Sequence, residues 1–310
     1  MSTPPALDRI RLGTAPDSWG VWFPDDPAQT PWDRFLDEVA AAGYTWIELG
    51  PYGYLPTDPA RLADELGRRG LRLSGGAVFA GLHRGTEALE RAVEDCRTEA
   101  ALLTALGARH LILLPEIYSE LDGTLNQPAE LTSAQRHELH SGMSALGKIV
   151  TGELGLELDF HPHADSHVGT QAEVEEFLAE TDPATVSLCL DTGHISYYGG
   201  DNVAIIGKHP DRIGYVHLKQ VDPALVERAR REGLAFAEAV RLGVMVEPPL
   251  GVPAVQPVLD ALSELDADLF AIVEQDLYPC DAAVPFPIAQ RTRTYLGSCG
   301  LGRPPERKTS

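Results

Sequence analysis

The fold class that this sequence predicts is a single-domain (β/α)8 barrel, on three observations. Short apolar, partly β-branched runs alternate with helix-patterned segments along the whole chain. The runs at 186–190, 213–218 and 269–273 end on ionisable residues, Asp191, His217 and Glu274. No glycine-rich dinucleotide fingerprint follows the first run, as a doubly wound open sheet would favour. Such alternation implies parallel pairing with right-handed crossovers. In a closed barrel, polar groups at the carboxyl ends of successive strands meet at one mouth. With 310 residues and no Pro/Ser-rich linker, 1–310 reads as one domain with a polar tail from about 300 that is expected to fray.

The elements follow in order. The first strand, 10–15, is broken by Pro16-Asp17-Ser18-Trp19-Gly20. A helix opens near Pro31 behind Thr30 and stops at Gly43. The strand 44–49 ends on Glu48, and Asp58-Pro59 starts a helix that Gly70 ends. The strand 71–79 leads to His83 and Arg84, then to a long helix over 86–106. The strand 110–114 precedes Glu116 and a long connection, 117–128, which is expected to cover the mouth; a helix over 133–153 follows. The strand 155–160 runs into His161-Pro162-His163, and a helix spans 171–180. After the sixth strand a short helix is expected at 202–208. The seventh strand is followed by a helix over 223–242 and an extended insert at 243–251. Helices at 254–265 and 285–296 flank the eighth strand.

Composition narrows the function classes. A net charge of −21 argues against unspecific binding to nucleic acid or to an anionic membrane surface, which need a positive footprint. No run approaches about 18 apolar residues, so no membrane span is expected. The four cysteines form no CxxC pair, and reduced thiols in the cytoplasm are the expectation. The first residues contain no apolar stretch of signal-peptide length.

Asp191, His217 and Glu274 hold corresponding places on three successive strands, and carboxylates with imidazole suit one divalent metal: Mn, Co, Zn, Fe or Mg. A fourth ligand is needed, and both Glu116 and His161 are candidates. Lys219 lies two residues beyond His217 and shares its face of the strand. It can stabilise a developing oxyanion or move a proton, or pair with Asp222 or Asp276. His163, His194 and Asp276 face the mouth or orient the ligands. Trp19 and Trp22 wall the mouth or plug the barrel. Glu48 and His83 stand where substrate contacts are expected, and Arg84 and Lys219 are the cations to watch for an anionic group.

The motifs Gly13-Thr14-Ala15-Pro16-Asp17-Ser18-Trp19-Gly20, His161-Pro162-His163, Leu190-Asp191-Thr192-Gly193-His194, Val216-His217-Leu218-Lys219 and Val273-Glu274-Gln275-Asp276 resemble the xylose-isomerase-like TIM-barrel superfamily of sugar isomerases and epimerases, and within it the inosose dehydratase branch. The resemblance spans nearly the whole chain. It implies one divalent metal (Mn, Co, Zn or Mg) held by a carboxylate, an aspartate, a histidine and a glutamate. Asp191, His217 and Glu274 match the last three. Where related epimerases carry the first carboxylate this chain has His161-Pro162-His163, so Glu116 is assigned as the nearest substitute. Gln220 also departs from the Asp usual in that branch.

The resemblance further implies a lyase that dehydrates a cyclic keto-polyol such as 2-keto-myo-inositol. A proton is taken next to the carbonyl and water is lost, with His163, Lys219 and Glu274 as catalytic groups. Trp19, Glu48, His83, His161, His194 and Asp276 are assigned to the substrate. The alternative is a ketose or sugar-phosphate isomerase or epimerase that shares the first step. An abasic-site endonuclease would share the barrel, but the acidity and the lack of a basic stripe speak against it. The partner is then a small polyol or sugar, with no nucleic acid and no membrane, and a homo-oligomer is left open.

Overall fold

The structure, a computed structural model, describes residues 7–302. Eight parallel strands close into a barrel in chain order: β1 (Ile10–Thr14), β2 (Trp46–Glu48), β3 (Arg72–Ala80), β4 (His110–Pro115), β5 (Glu157–Phe160), β6 (Ser187–Asp191), β7 (Ile213–Leu218) and β8 (Leu269–Val273). The last strand pairs back onto the first, from Ile10 with Leu269 to Thr14 with Val273. The helices are α1 (Trp32–Ala42), α2 (Pro59–Arg68), α3 (Thr86–Ala105), α4 (Ser133–Ile149), α5 (Gln171–Glu180), α6 (Thr192–Tyr197), α7 (Asn202–Lys208), α8 (Pro223–Glu232), α9 (Phe236–Arg241), α10 (Val255–Ser263) and α11 (Pro285–Ser298).

Local chemistry explains the helix starts. The Asp58 side chain accepts from the Arg61 amide at the head of α2. Thr132 with Gln135 and Thr170 with Glu173 form capping boxes at α4 and α5, which satisfy amides that a helix cannot bond internally. Each helix then buries one stripe, as α1 does with Phe35, Leu36 and Val39. The main core lies between the outer face of the barrel and these stripes.

Three departures from the expected elements shape the mouth. The helix expected over 223–242 is two helices, because Gly233 adopts φ +65° and ends α8. The insert at 243–251 contributes Met245–Val246 to an antiparallel two-stranded ribbon with Gln220–Val221. A short helix, α6, capped by Asp191, comes between the sixth strand and the helix expected at 202–208. At the other end of the chain, Leu301 is fully buried and its amide donates to the Leu296 carbonyl, so the tail is not frayed there; the rest of it, from 303, lies outside the described residues.

Below the strand ends the barrel interior is filled. Ile112, Cys189, Tyr215, Phe270 and Ile272 form an apolar plug. Polar members of the same layer are paired: Tyr215 Oη lies 2.7 Å from Ser74 Oγ, and His110 Nδ1 lies 2.9 Å from Asp159 Oδ2. Ligands therefore enter from the carboxyl ends of the strands.

Outside the barrel, Glu99 of α3 is buried against Gly76 of β3, so close that a Cβ there would collide with Glu99 Oε1. Oε1 has no hydrogen-bond partner. Burial, with Glu48 adding to it and the Ala77 amide opposing it, pushes this carboxyl up to about 8 from 4.5. A raised carboxyl contributes stability that is complete below the unfolded value of 4.5 and is lost as pH climbs to about 8. Glu99→Gln should therefore gain on the wild type by roughly 4 kcal/mol across that window. Urea unfolding at several pH values measures it, and a difference between the two proteins that does not vary with pH would contradict it.

Candidate metal centre and active site

The site is built on the ends of β5 to β8. Asp191 closes β6 and caps α6. Its Oδ1 accepts from the amides of Gly193 and His194, each at 2.8 Å. That fixes the carboxylate and leaves Oδ2 facing the barrel axis groups, 3.3 Å from His161 Nε2 and 3.8 Å from His217 Nδ1. His217 lies level with Asp191 across the β6–β7 pairing. Its Nε2 donates to Glu48 Oε2 at 2.9 Å, and its Nδ1 stands 2.9 Å from Glu274 Oε2. One donor atom from each of His161, Asp191, His217 and Glu274 lies within 4.8 Å of the other three, and all four residues are buried.

These residues fit a divalent ion. Four ligands about 2.1 Å from a tetrahedral centre stand about 3.4 Å apart, close to the spacings found here. His217 Nδ1 is buried, near two carboxylates, and without a hydrogen bond, so it is the nitrogen placed to take an ion in exchange for a proton. The Nε2–H to Glu48 contact fixes the tautomer that ligation requires. The field points the same way: burial opposes a charge on His217, yet Cys189, Glu274 and Glu48 push its pKa well above the usual value. Positive charge is favoured at that spot, and a cation answers the same field as a proton.

Glu116 is not brought into this group, which corrects the assignment made from the sequence. Arg84, in the turn after β3, takes both its carboxylate oxygens, at 2.6 and 3.0 Å, and the side chain is 36% exposed at the rim. His161 is the fourth member of the cluster instead.

The other expected site residues divide. Lys219 is buried, with Nζ 2.9 Å from Asp276, 3.1 Å from Glu274, 3.3 Å from Asp191 and 3.8 Å from Asp17. Burial opposes its charge, but these carboxylates raise its pKa well above the usual range, so it is an ammonium. Asp191 is the counterpart: burial would raise it, and Lys219 and His161 bring it down to about 2. His163 lines the cavity and donates from Nδ1 to the Ala164 carbonyl at 2.6 Å, which leaves Nε2 with the lone pair. Burial, His161 and Lys219 hold its pKa down to about 3. His194 packs against His163 at 3.9 Å between ring centres with the rings tilted by 40°, accepts from the Ala164 amide, and does not line the cavity.

Three residues expected at the substrate do not line the cavity: His194, described above, Trp19 and His83. Trp19 is buried against Phe35 with its indole N–H on Glu38, because the turn Pro16–Trp19 directs it outward to α1. His83 bonds Gln127 and lies beside His167, under the 117–128 connection rather than in the cavity. Glu48 reaches the cavity, but its carboxylate is committed to His217. Trp22 does wall the cavity, and Asp276 lines it on Lys219.

The cavity over the cluster has a volume of about 300 Å³. Its far walls are apolar: Trp22 and Phe23 after β1, Phe79, Leu114, Ile117 and Leu121, and Phe236 and Ala237 of α9. The sequence reading missed Asp17, whose carboxyl burial and Glu274 push well above the usual range, against Lys219. Its position just past β1 was the available signal.

Metal content of purified variants tests the ligand set. His161→Ala and Asp191→Asn should each lose the ion, while Glu116→Gln should keep one per chain. Glu48→Gln should weaken affinity by about 10- to 100-fold. Retention of full metal by His161→Ala, with loss in Glu116→Gln, would reverse the assignment.

Comparison with known proteins places this architecture. Residues 36–285 match the family described as xylose isomerase-like TIM barrel. An inosose dehydratase of Geobacillus thermodenitrificans is 30% identical over 95% of this chain and 99% of its own. One of Geobacillus kaustophilus is 32% identical over 94% of each chain. In fold, the chain resembles the IolI protein solved with a bound zinc atom, at TM-score 0.72 and 14% identity over 95% of this chain and 100% of that one. It likewise resembles L-ribulose 3-epimerase, at TM-score 0.66 and 19% identity over 94% of each. This chain belongs to the xylose isomerase-like TIM barrel family.

Proposed function

We propose that this protein is an inosose dehydratase: a metal-dependent hydro-lyase that removes water from 2-keto-myo-inositol or a closely related cyclic keto-polyol, a step of inositol breakdown. The observation that carries the reading is the buried four-donor cluster of His161, Asp191, His217 and Glu274 on the floor of the cavity, in a chain about 30% identical end to end to inosose dehydratases. Two imidazoles beside two carboxylates favour Mn, Co or Zn over Mg. A bound divalent ion would supply Lewis-acid polarisation of the substrate carbonyl.

The residues around it divide the proton work. His163 is neutral across the working pH range and keeps Nε2 free, so it takes the proton from the carbon next to the carbonyl. Lys219, held charged by its carboxylates, offsets the negative charge that develops on the carbonyl oxygen. Asp17 lines the cavity, where burial and Glu274 shift its carboxyl toward the protonated form against Lys219, so it is the acid placed to assist departure of the β-hydroxyl as water. Glu274 is paired with His217 and would hold the ion rather than move a proton itself.

The charges argue for an uncharged substrate. Lys219 is the one lysine or arginine lining the cavity among the described residues, against Glu48, Glu120, Glu274 and Asp276. A phosphate dianion would meet net negative potential there, whereas a polyol can bond these groups and lay its C–H face on Trp22 or Phe236. The apolar walls also keep water from the reacting carbons.

Incubation of the Mn-loaded protein with 2-keto-myo-inositol should produce dione absorbance, and His163→Asn should lower kcat by about 10²- to 10⁴-fold with metal content unchanged. Epimerisation or isomerisation of free ketoses with no dione formed would replace the dehydratase reading.

A further inference from the structure

The cavity is roofed by two segments distant in sequence, and both are tied to one side chain. Ile117, Ser119 and Leu121 come from the connection after β4, and Phe236 comes from the start of α9. Asp165 lies between them, in the turn after β5 that also carries His161 and His163. Its Oδ2 accepts the Ser119 hydroxyl at 2.7 Å and the Phe236 amide at 2.7 Å. Its main chain makes two further ties: the carbonyl accepts from the Tyr118 amide at 2.8 Å, and the amide donates to Tyr198 Oη at 3.0 Å.

Asp165 is the one described non-glycine residue with positive φ, at +55°. Asp tolerates this left-handed conformation better than most residues, but it still costs about 1 kcal/mol. The conformation is held while the carboxylate serves two donors from outside its own turn. Charge-assisted bonds to a buried carboxylate are among the stronger single contacts a loop can make. Phe236, fixed by its amide, sets its ring edge-on against His163 at 5.1 Å between ring centres and also contacts His194 at 5.0 Å. Asp165 thus stands between the geometry of the roof and the placement of the His163 ring. A second, exposed tie joins the same two segments, from Arg241 to the Leu121 carbonyl at 2.6 Å.

We propose that Asp165 is a positioning residue: its carboxylate latches the 117–121 segment to the head of α9, closes the roof over the cavity and braces His163. The latch is read from contacts alone, while its effect on turnover rests on the dehydratase reading above.

The test separates the two. Asp165→Gly keeps the left-handed backbone free of strain and removes the carboxylate, and Asp165→Asn keeps an acceptor in a residue that tolerates the same φ. Hydrogen exchange should show Asp165→Gly losing about 10- to 100-fold protection at residues 117–121 and at the first turn of α9, with β5 to β8 unchanged. Ser119→Ala should loosen 117–121 alone. Towards 2-keto-myo-inositol, Asp165→Gly should raise KM about ten-fold or more and lower kcat less, with metal content retained, and Asp165→Asn should restore most of the loss. Unchanged exchange in both segments, or loosening spread through the barrel strands, would overturn the proposal. A wild type that does not dehydrate the inosose removes the functional reading, and the exchange measurements alone then decide the latch. Should Asp165→Gly not fold, wild-type exchange at 117–121 in Ser119→Ala overturns the latch, and loosening confined there supports it.

Discussion

An excess of negative charge in a closed space governs this molecule. Four buried carboxylates, of Glu48, Asp191, Glu274 and Asp276, and the half-buried Asp17 converge where the strands end, and one buried ammonium, that of Lys219, faces them. Charges removed from water must be paired, or the protein must keep them neutral by protonation. The shifts show that strain: Asp17 and Asp276 are pushed up, mainly by burial, while Lys219 is pushed up against burial. A divalent cation among His161, Asp191, His217 and Glu274 would relieve it. The rest of the fold brings these groups together and keeps them dry.

Barrel closure does this with short-range rules. Residues alternate across a strand, so Tyr215, His217 and Lys219 of the β7 line share one inward face, and pairing sets His217 beside Asp191. Asp191 serves two purposes because a carboxylate has two oxygens, one for the α6 amides and one for the cluster. His217 likewise has two nitrogens, one spent on Glu48.

That is why much was legible in advance. Eight apolar runs mark the staves, and Asp191, His217 and Glu274 stand at their ends, so the barrel and three of the four grouped donors follow from position alone. The choice between Glu116 and His161 does not, because both lie at strand ends. Arg84 decides it by capturing Glu116 across the turn after β3, a side-chain pairing that leaves no periodic trace. Trp19 misled because a short turn rotates it outward onto Phe35 and Glu38. The roof was half visible: the long 117–128 connection announced a cover, but Phe236 reaches the cavity only because Gly233 breaks a helix that otherwise reads as continuous.

The account stands or falls on where a cation sits. Crystals of the Mn- or Zn-loaded protein, measured at the metal's absorption edge, locate it directly. One anomalous peak per chain is expected, about 2.0–2.3 Å from donors of His161, Asp191, His217 and Glu274. A peak at the rim between His83 and Glu116, or none at the strand ends in metal-loaded crystals, would contradict it.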